Sequence, residues 1–130
     1  MATVRTQTAY IYRLIDPRDG TTRYVGQTID MEQRLKYHIY LSGAGNVAKT
    51  IWISDLRSLG IVPVMEEICR CSRDDADKIE RMYIEDEFKN GNLFNLRPFG
   101  NWRARRKYEQ EKLAGKYQHA GHKGAKAVNS

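Results

Sequence analysis

The sequence predicts a small α/β sandwich, in which a central three-stranded sheet, mixed or antiparallel, is flanked by helices in the order β-β-α-α-β-α. Three observations support this fold class. The chain has 130 residues, of which 41% are apolar, and this is enough for one domain with its own core. Residues 9–28 have the pattern of a β-hairpin, and side chains that cap helices precede three later stretches.

The hairpin is the first predicted element. Residues 9–15 are rich in aromatic and β-branched side chains, which is typical of a strand. The segment from Asp16 to Gly20 is a turn, because its proline fixes φ and its glycine permits positive φ. Residues 21–28 are then predicted to form the second strand.

Three helices are predicted after the hairpin, over residues 31–41, 47–59 and 73–89. Each follows a residue whose side chain can accept a hydrogen bond from the first turn; these residues are Asp30, Asn46 and Ser72. A short apolar run around Pro63 predicts the third strand over 62–69, and residues 93–96 are expected to be extended.

The positive charge is concentrated at the end of the chain. Residues 1–100 carry 14 basic and 14 acidic side chains, so the whole net charge of +6 lies in residues 101–130. We therefore expect a folded domain over 1–100 and a basic tail over 101–130, with a helix over 102–114 and disorder from residue 115 onward. Such a tail is typical of proteins that bind nucleic acid, although a solvated tail that aids solubility is the alternative.

Several classes of protein are excluded. No stretch approaches 18 apolar residues, so no membrane-spanning helix is expected. The first residues lack the apolar centre of a signal peptide, and Cys69 and Cys71 are too few for a disulfide scaffold. We therefore expect an intracellular, cytoplasmic protein.

The first helix carries two candidate functional residues. Arg34 and His38 are four positions apart and so share one face, beside the apolar stripe. An arginine there can grip a phosphate with its fork of donors, and a histidine can accept a proton or orient a water molecule. The alternative is that both residues lie at the rim of the packed surface and have no chemical role.

Glu80 is unusual because it lies within an apolar arc of the third helix, next to Tyr83 and Ile84. Burial of a carboxylate is costly unless the group is paired or holds a cation. Glu80 is therefore a candidate metal ligand or catalytic carboxylate, and a buried ion pair is the alternative.

The hairpin tyrosines and a lysine are further candidates. Strand alternation places Tyr10 and Tyr12 on one face, and Tyr24 joins them if the pairing register allows. A phenol needs a nearby cation or base before it can act as a base, because its pKa is near 10. Lys49 lies beside Trp52 on the second helix, where a lysine usually leaves its charge in water or, alternatively, reaches a phosphate.

Together these residues resemble the GIY-YIG nuclease domain, the small catalytic module of homing endonucleases, some restriction enzymes and an excision-repair nuclease. Five motifs are similar, in the right order, over residues 9–98. They are Tyr10-Ile11-Tyr12, Tyr24-Val25-Gly26 with the following Gln27-Thr28 and Asp30, Arg34 with His38, Glu80 with Tyr83-Ile84, and Asn95. The sequence departs from the family at Tyr10, where the first motif has glycine.

The resemblance implies hydrolysis of DNA phosphodiester bonds with one divalent cation, Mg²⁺ or Mn²⁺, held by Glu80. It implies that Tyr12 is the general base that activates water and that Tyr24 positions the water or the phosphate, although these two roles are exchangeable. Arg34 would bind a non-bridging phosphate oxygen, with His38 assisting.

A second set of residues is expected to contact the substrate. It consists of Lys49, Asn95, Arg103, Arg105, Arg106 and Lys107. Asn95 in this set is also expected to order the site by hydrogen bonding, and the tail residues would add affinity without reading sequence. The expected partner is DNA, duplex or branched, and not a membrane; the chain would act as a monomer or as a transient dimer.

Two alternative functions belong to other classes. One is a module that keeps the fold and binds DNA without hydrolysis, as the change at Tyr10 would suggest. The other is an interaction protein in which the motif residues merely pack. Packing alone does not require the polar set of Tyr12, Tyr24, Arg34, His38 and Glu80, so a nuclease is favoured.

Overall fold

The computed structural model describes residues 7–41, 45–96 and 100–117. The strands are β1 (Thr8–Ile15), β2 (Thr22–Thr28) and β3 (Val64–Ser72). The α-helices are α1 (Met31–Lys36), α2 (Val47–Ser58), α3 (Arg73–Phe88) and α4 (Gly100–Leu113), and α1 continues into a π-helical turn over Tyr37–Leu41. None of the helices in these three described segments is long and apolar enough to cross a membrane.

The three strands form one antiparallel sheet in the order β2-β1-β3. The predicted fold class is therefore confirmed, and the sheet is antiparallel rather than mixed. Tyr12 on the central strand lies opposite Gly26 on β2 and Glu67 on β3. This register fixes which side chains meet above the middle of the sheet.

Both faces of the sheet are covered. On one face, Tyr12 and Leu14 of β1 pack with Trp52 of α2. On the other face, Ile11 packs with Ala76 of α3. Because β1 is buried on both sides, its sequence is a nearly continuous apolar run rather than an alternating one.

The predicted helix starts are confirmed by their caps. The bonds run from Gln33 N–H to Asp30 Oδ1 (3.0 Å), from Lys49 N–H to Asn46 Oδ1 (3.0 Å) and from Asp75 N–H to Ser72 Oγ (3.3 Å). Each cap satisfies a backbone donor that has no partner within its helix. The first helix differs from the prediction only in widening to a π-helical turn from Tyr37 onward, a feature that is often found at functional sites.

The third strand lies further along the chain than predicted. It covers Val64–Ser72 instead of residues 62–69. It begins later because Ile61 is still bonded to the end of α2, through its N–H and the Leu56 carbonyl. It ends later because β1 continues to pair with it as far as Ser72, which lies opposite Thr8.

Helix α4 covers residues 100–113, close to the predicted 102–114, and contributes to the core. Its Ala104 and Tyr108 are buried in the same cluster as Trp52. The expected disorder from residue 115 is wrong for 115–117, because Tyr117 is only 5% exposed and its ring lies 4.1 Å from the Arg18 guanidinium. The rest of that expectation, over 118–130, lies outside the described residues, and the division of the chain at residue 100 stays a prediction.

Candidate active site

Tyr12 stands at the centre of the site. It lies on the middle strand of the sheet, and its side chain is fully buried. His38 Nε2 lies 2.7 Å from the Tyr12 hydroxyl oxygen, and Arg34 Nε donates to the same oxygen at 3.4 Å. Strand β1, helix α1 and the π-helical turn thus bring together three of the residues that the sequence predicts to be catalytic.

Tyr24 lies beside Tyr12 on the neighbouring strand. The ring centroids of the two tyrosines are 6.4 Å apart, and the Tyr24 ring is 5.1 Å from the ring of His38. Tyr24 and Gly26 share one face of β2 because they are two residues apart, and Gly26 lies opposite Tyr12. The register therefore places Tyr24 on the same face as Tyr12, which the sequence analysis had left dependent on the pairing.

Gly26 permits this close packing; the sequence analysis named it as part of the second motif but assigned it no role. A Cβ atom at Gly26 would lie 2.5 Å from the Tyr12 hydroxyl oxygen and 2.7 Å from its Cζ. Any larger residue would therefore displace the tyrosine. A glycine inside a strand often marks such a close approach, and that signal could have indicated this role.

His38 is not at the rim of the packed surface as expected. Its side chain is fully buried in the π-helical turn, with its ring packed edge-on against the rings of Tyr12 and Tyr24. Burial, reinforced by the charge of Lys49, lowers the pKa of His38 to about 3. The imidazole is therefore neutral at physiological pH.

Lys49 also differs from its expected placement. It is only 6% exposed, so its charge does not lie in water. Its Nζ is 3.0 Å from His38 Nδ1 and 4.8 Å from the centroid of the Tyr24 ring. Burial lowers the pKa of this amine to about 8. The lysine thus occupies the end of a buried chain of contacts that runs through His38 to Tyr12.

The charge state of Lys49 constrains the tautomer of His38 through the contact at Nδ1. A protonated amine can only donate, so it makes Nδ1 the acceptor and leaves the imidazole proton on Nε2, facing Tyr12. A neutral amine can accept from Nδ1 instead, and Nε2 then accepts from the Tyr12 hydroxyl. Burial, followed by the proximity of Tyr24, raises the pKa of Tyr12, so its resting state is the neutral phenol.

Glu80 lies on α3 and is held by Gln27 of β2. The Gln27 side-chain amide donates to Glu80 Oε1 at 3.0 Å and to Asp77 Oδ1 at 2.6 Å. Burial raises the pKa of Glu80, and the bond from Gln27 opposes that shift. The described residues contain no ion pair to Glu80, so the alternative of a buried ion pair is not what the structure shows. Sequence reasoning did not assign a role to Gln27 or Asp77.

The family model of the GIY-YIG catalytic domain matches residues 8–93, which is well over half of the chain. The chain belongs to the GIY-YIG family. GIY-YIG domains are nucleases, which hydrolyse phosphodiester bonds in nucleic acid, and the three-stranded antiparallel sheet is consistent with their fold. No curated protein and no solved structure gives a significant match. The assignment therefore rests on the family model and on the residues described above.

GIY-YIG nucleases typically use a divalent metal ion. Among residues 7–41, 45–96 and 100–117, no three His, Cys, Asp or Glu side chains form a group that could hold a metal. Mg²⁺ nevertheless binds through one or two carboxylates and keeps most of its waters. Glu80 is half-buried and shares the Gln27 side-chain amide with Asp77, so these two carboxylates fit a site with few protein ligands.

Asn95 fixes strand β2, the neighbour of β1, by hydrogen bonds to the Val25 backbone. Its Oδ1 accepts from the Val25 N–H at 3.0 Å, and its Nδ2 donates to the Val25 carbonyl at 2.8 Å. The side chain is buried, so it orders β2 between Tyr24 and Gly26. This is the structural hydrogen bonding that the sequence analysis expected.

The basic residues of α4 are exposed. They are Arg103, Arg105, Arg106 and Lys107. Two of them, Arg103 and Arg106, flank the exposed ring of Trp102 at 5.3 and 5.4 Å from its centroid. Lys107 donates to Asn92 Oδ1 at 3.0 Å. Their contact with the substrate stays a prediction.

Proposed function

We propose that this protein is a metal-dependent endonuclease that cleaves DNA with Tyr12 as the general base for the attacking water. The observation that carries the proposal is the chain of contacts from Tyr12 through His38 to Lys49, with heavy-atom distances of 2.7 and 3.0 Å. Tyr12, not Tyr24, contacts the imidazole nitrogen. The geometry therefore favours Tyr12 for the basic role and Tyr24 for positioning.

The chain of contacts removes the need for a free phenolate. Because burial raises the pKa of Tyr12, the phenolate is rarely populated. The hydroxyl can instead accept a proton from water while it gives its own proton to His38 Nε2. His38 then passes the proton on its Nδ1 to the neutral amine of Lys49, so the imidazole never becomes charged.

Arg34 and Glu80 have different tasks in this proposal. The Arg34 guanidinium has five N–H donors, of which Tyr12 takes one at 3.4 Å, and it binds a non-bridging oxygen of the scissile phosphate. Glu80 holds a divalent cation, Mg²⁺ or Mn²⁺, with Gln27 and Asp77 beside it. When bound, the cation supplies positive charge to the phosphate and the leaving oxygen. The expected products carry 5′-phosphate and 3′-hydroxyl ends.

Lys49 thus receives a role other than contact with the phosphate. A buried amine that lies against His38 is placed to act on the imidazole, not on a substrate at the surface. The exposed arginines and lysine of α4 remain the proposed contacts with the DNA backbone.

Tyr10 does not favour the alternative of an inactive module. Its ring lies 5.2 Å from the Arg70 guanidinium on β3, and its backbone lies opposite Thr28 and Arg70. The side chain that replaces the motif glycine is therefore directed to the end of the sheet where β1 meets β3. The contacts among Tyr12, His38 and Arg34 are made in its presence.

The test is nicking of a supercoiled plasmid with Mg²⁺ or Mn²⁺, beside EDTA. We expect nicking only with metal, its loss in Glu80→Gln, and its retention in Glu85→Gln, which changes an exposed carboxylate on the same helix. Binding without cleavage in either metal would reject the proposal. Equal nicking by the two variants would reject Glu80 as the metal ligand.

A further inference from the structure

A groove of about 540 Å³ opens along one side of Arg34. It runs from the end of β2 over α1 to the π-helical turn. Its lining includes Ile29, Arg34, Tyr37, Tyr40 and Leu41. The volume lies within the range of small-molecule sites and has room for one nucleotide.

The groove exposes large apolar side chains that the fold does not use. Tyr40 is 63% exposed and Leu41 is 75% exposed, while Ile29 and Tyr37 are each more than two-fifths exposed. Exposed apolar groups in contiguous patches mark binding surfaces more often than chance. The two tyrosines are three residues apart on one turn, so both rings face the same opening.

The aromatic rings of the groove lie next to cations. The Arg34 guanidinium is 4.8 Å from the centroid of the Tyr37 ring, and the Arg57 guanidinium is 5.2 Å from that of Tyr40. Aromatic rings beside arginines are the means by which proteins hold single-stranded nucleic acid, since each base stacks on a ring while its phosphate meets a cation.

Arg34 joins the groove to the active site. It lines the groove, and its Nε also donates to Tyr12 at 3.4 Å. A phosphate held by Arg34 would therefore have its adjoining nucleoside at the mouth of the groove. A base inside a continuous duplex is stacked on both faces and cannot reach a tyrosine ring unless it leaves the stack.

We propose that this groove receives an unpaired nucleotide adjacent to the scissile phosphate, so that the preferred substrate is DNA with an unpaired base at the cleavage site. This inference rests on the proposed nuclease function, because that function places the scissile phosphate at Arg34. It assigns recognition of the substrate to Tyr37 and Tyr40, which take no part in hydrolysis.

The test measures binding of the full chain in EDTA, where no hydrolysis is expected. Two fluorophore-labelled duplexes are compared by fluorescence anisotropy: one is fully paired, and the other carries one extra unpaired 2-aminopurine. Stacking of one base on an aromatic ring changes affinity by about 5- to 150-fold. We expect the bulged duplex to bind at least about tenfold more tightly, with quenched 2-aminopurine emission.

Two substitutions at one position test the role of the ring. Tyr40→Ala should bring the ratio of the two dissociation constants close to one, whereas Tyr40→Trp, which keeps a stacking surface, should preserve it. Trp102→Ala is the matched control because it removes an exposed ring that is also close to arginines, but on α4. A loss of affinity in that variant should fall equally on both duplexes.

Equal binding of the two duplexes by the unaltered protein would overturn the inference, and so would a preference that survives Tyr40→Ala. Metal-dependent nicking is measured separately. If the protein nicks DNA with metal but binds both duplexes equally, the proposed role of the groove is refuted and the proposed function stands. If the protein prefers the bulged duplex but does not cleave DNA, the proposed role of the groove is supported and the proposed function is refuted.

Discussion

Replacement of Lys49 by methionine should slow the enzyme and stabilise the fold. Methionine keeps an unbranched chain of similar length, so the buried space stays filled, but it removes the amine that lies 3.0 Å from His38 Nδ1. Without that amine, the proposed relay from Tyr12 through His38 loses its terminal proton acceptor. Loss of general-base assistance typically costs 10² to 10⁴ in rate, so we expect nicking to fall by at least about 100-fold.

The gain in stability follows from the pKa of the amine. Folding lowers the pKa of Lys49 from 10.5 to about 8. Below pH 8 the amine is charged in both states, and its burial costs the folded state at most about 3 kcal/mol, at 1.36 kcal/mol per pKa unit. This cost falls as pH rises from 8 to 10.5, where the folded protein has released the proton and the unfolded chain still holds it. The advantage of the methionine variant should shrink over the same interval.

Two assays test this prediction. Urea unfolding at pH 7 and at pH 9.5 measures the difference in free energy of unfolding, and single-turnover nicking from pH 6.5 to 9.5 measures the rate. The rate of the unaltered enzyme should rise as the pH passes through about 8, where Lys49 loses its proton, and level off above it, whereas Lys49→Met should show no such rise. Lys89→Met, at a side chain that is 79% exposed, is the control and should change neither quantity. A Lys49→Met variant that is less stable and nicks at the normal rate would refute the reasoning.

Three further predictions follow from the same structure. Gly26→Ala places a Cβ 2.5 Å from the Tyr12 hydroxyl oxygen, so the tyrosine must move and plasmid nicking should fall by about 100-fold. Folding lowers the pKa of His38 from 6.5 to about 3. The free energy of unfolding should therefore fall by at most about 5 kcal/mol as the pH drops from 6.5 to 3. Urea unfolding of His38→Gln should show a smaller fall over the same interval. Neutralising the four exposed basic residues of α4 with glutamine should reduce the slope of log K against log salt by at most about 4, measured by anisotropy with a paired duplex. Truncation at residue 100 is a poorer test of the tail, because it would also remove the buried ring of Tyr108.

Each of these predictions has a result that would contradict it. A normal nicking rate in Gly26→Ala would show that Tyr12 can move to accommodate the added Cβ without loss of activity. An acid-unfolding curve that His38→Gln leaves unchanged would assign the pH dependence to other groups. The salt slope has a matched control in glutamine substitutions at three exposed basic residues of α3, namely Arg73, Lys78 and Arg81. An equal effect of the α3 and α4 substitutions would remove any special role for α4.

Local signals explain why most of the fold was predictable. The caps at Asp30, Asn46 and Ser72 act within a few residues, so they can be recognised without knowledge of the rest of the chain. The hairpin was equally local, because a turn with proline and glycine separates two β-rich stretches. The later end of β3 was missed because Ser72 belongs to the strand only by virtue of its pairing with Thr8, far away in the sequence.

The sequence could name candidate site residues, whereas it predicted their geometry less well. The family resemblance pointed to Tyr12, His38 and Glu80, and the structure places Tyr12 and His38 within hydrogen-bonding distance. Helical periodicity, which assumes 3.6 residues per turn, placed His38 at the rim, whereas the structure buries it within the π-helical turn. The burial of Lys49 has no local signal, since it depends on the neighbouring rings that cover the amine.

The central claim is that Tyr12 accepts the proton of the attacking water, and one comparison tests it most directly. Single-turnover nicking in Mg²⁺ is measured for Tyr12→Phe and for Tyr10→Phe, which removes the hydroxyl of the neighbouring tyrosine on the same strand. The account predicts a loss of at least about 100-fold for Tyr12→Phe and the normal rate for Tyr10→Phe. A Tyr12→Phe variant that cleaves as fast as the unaltered protein would contradict it.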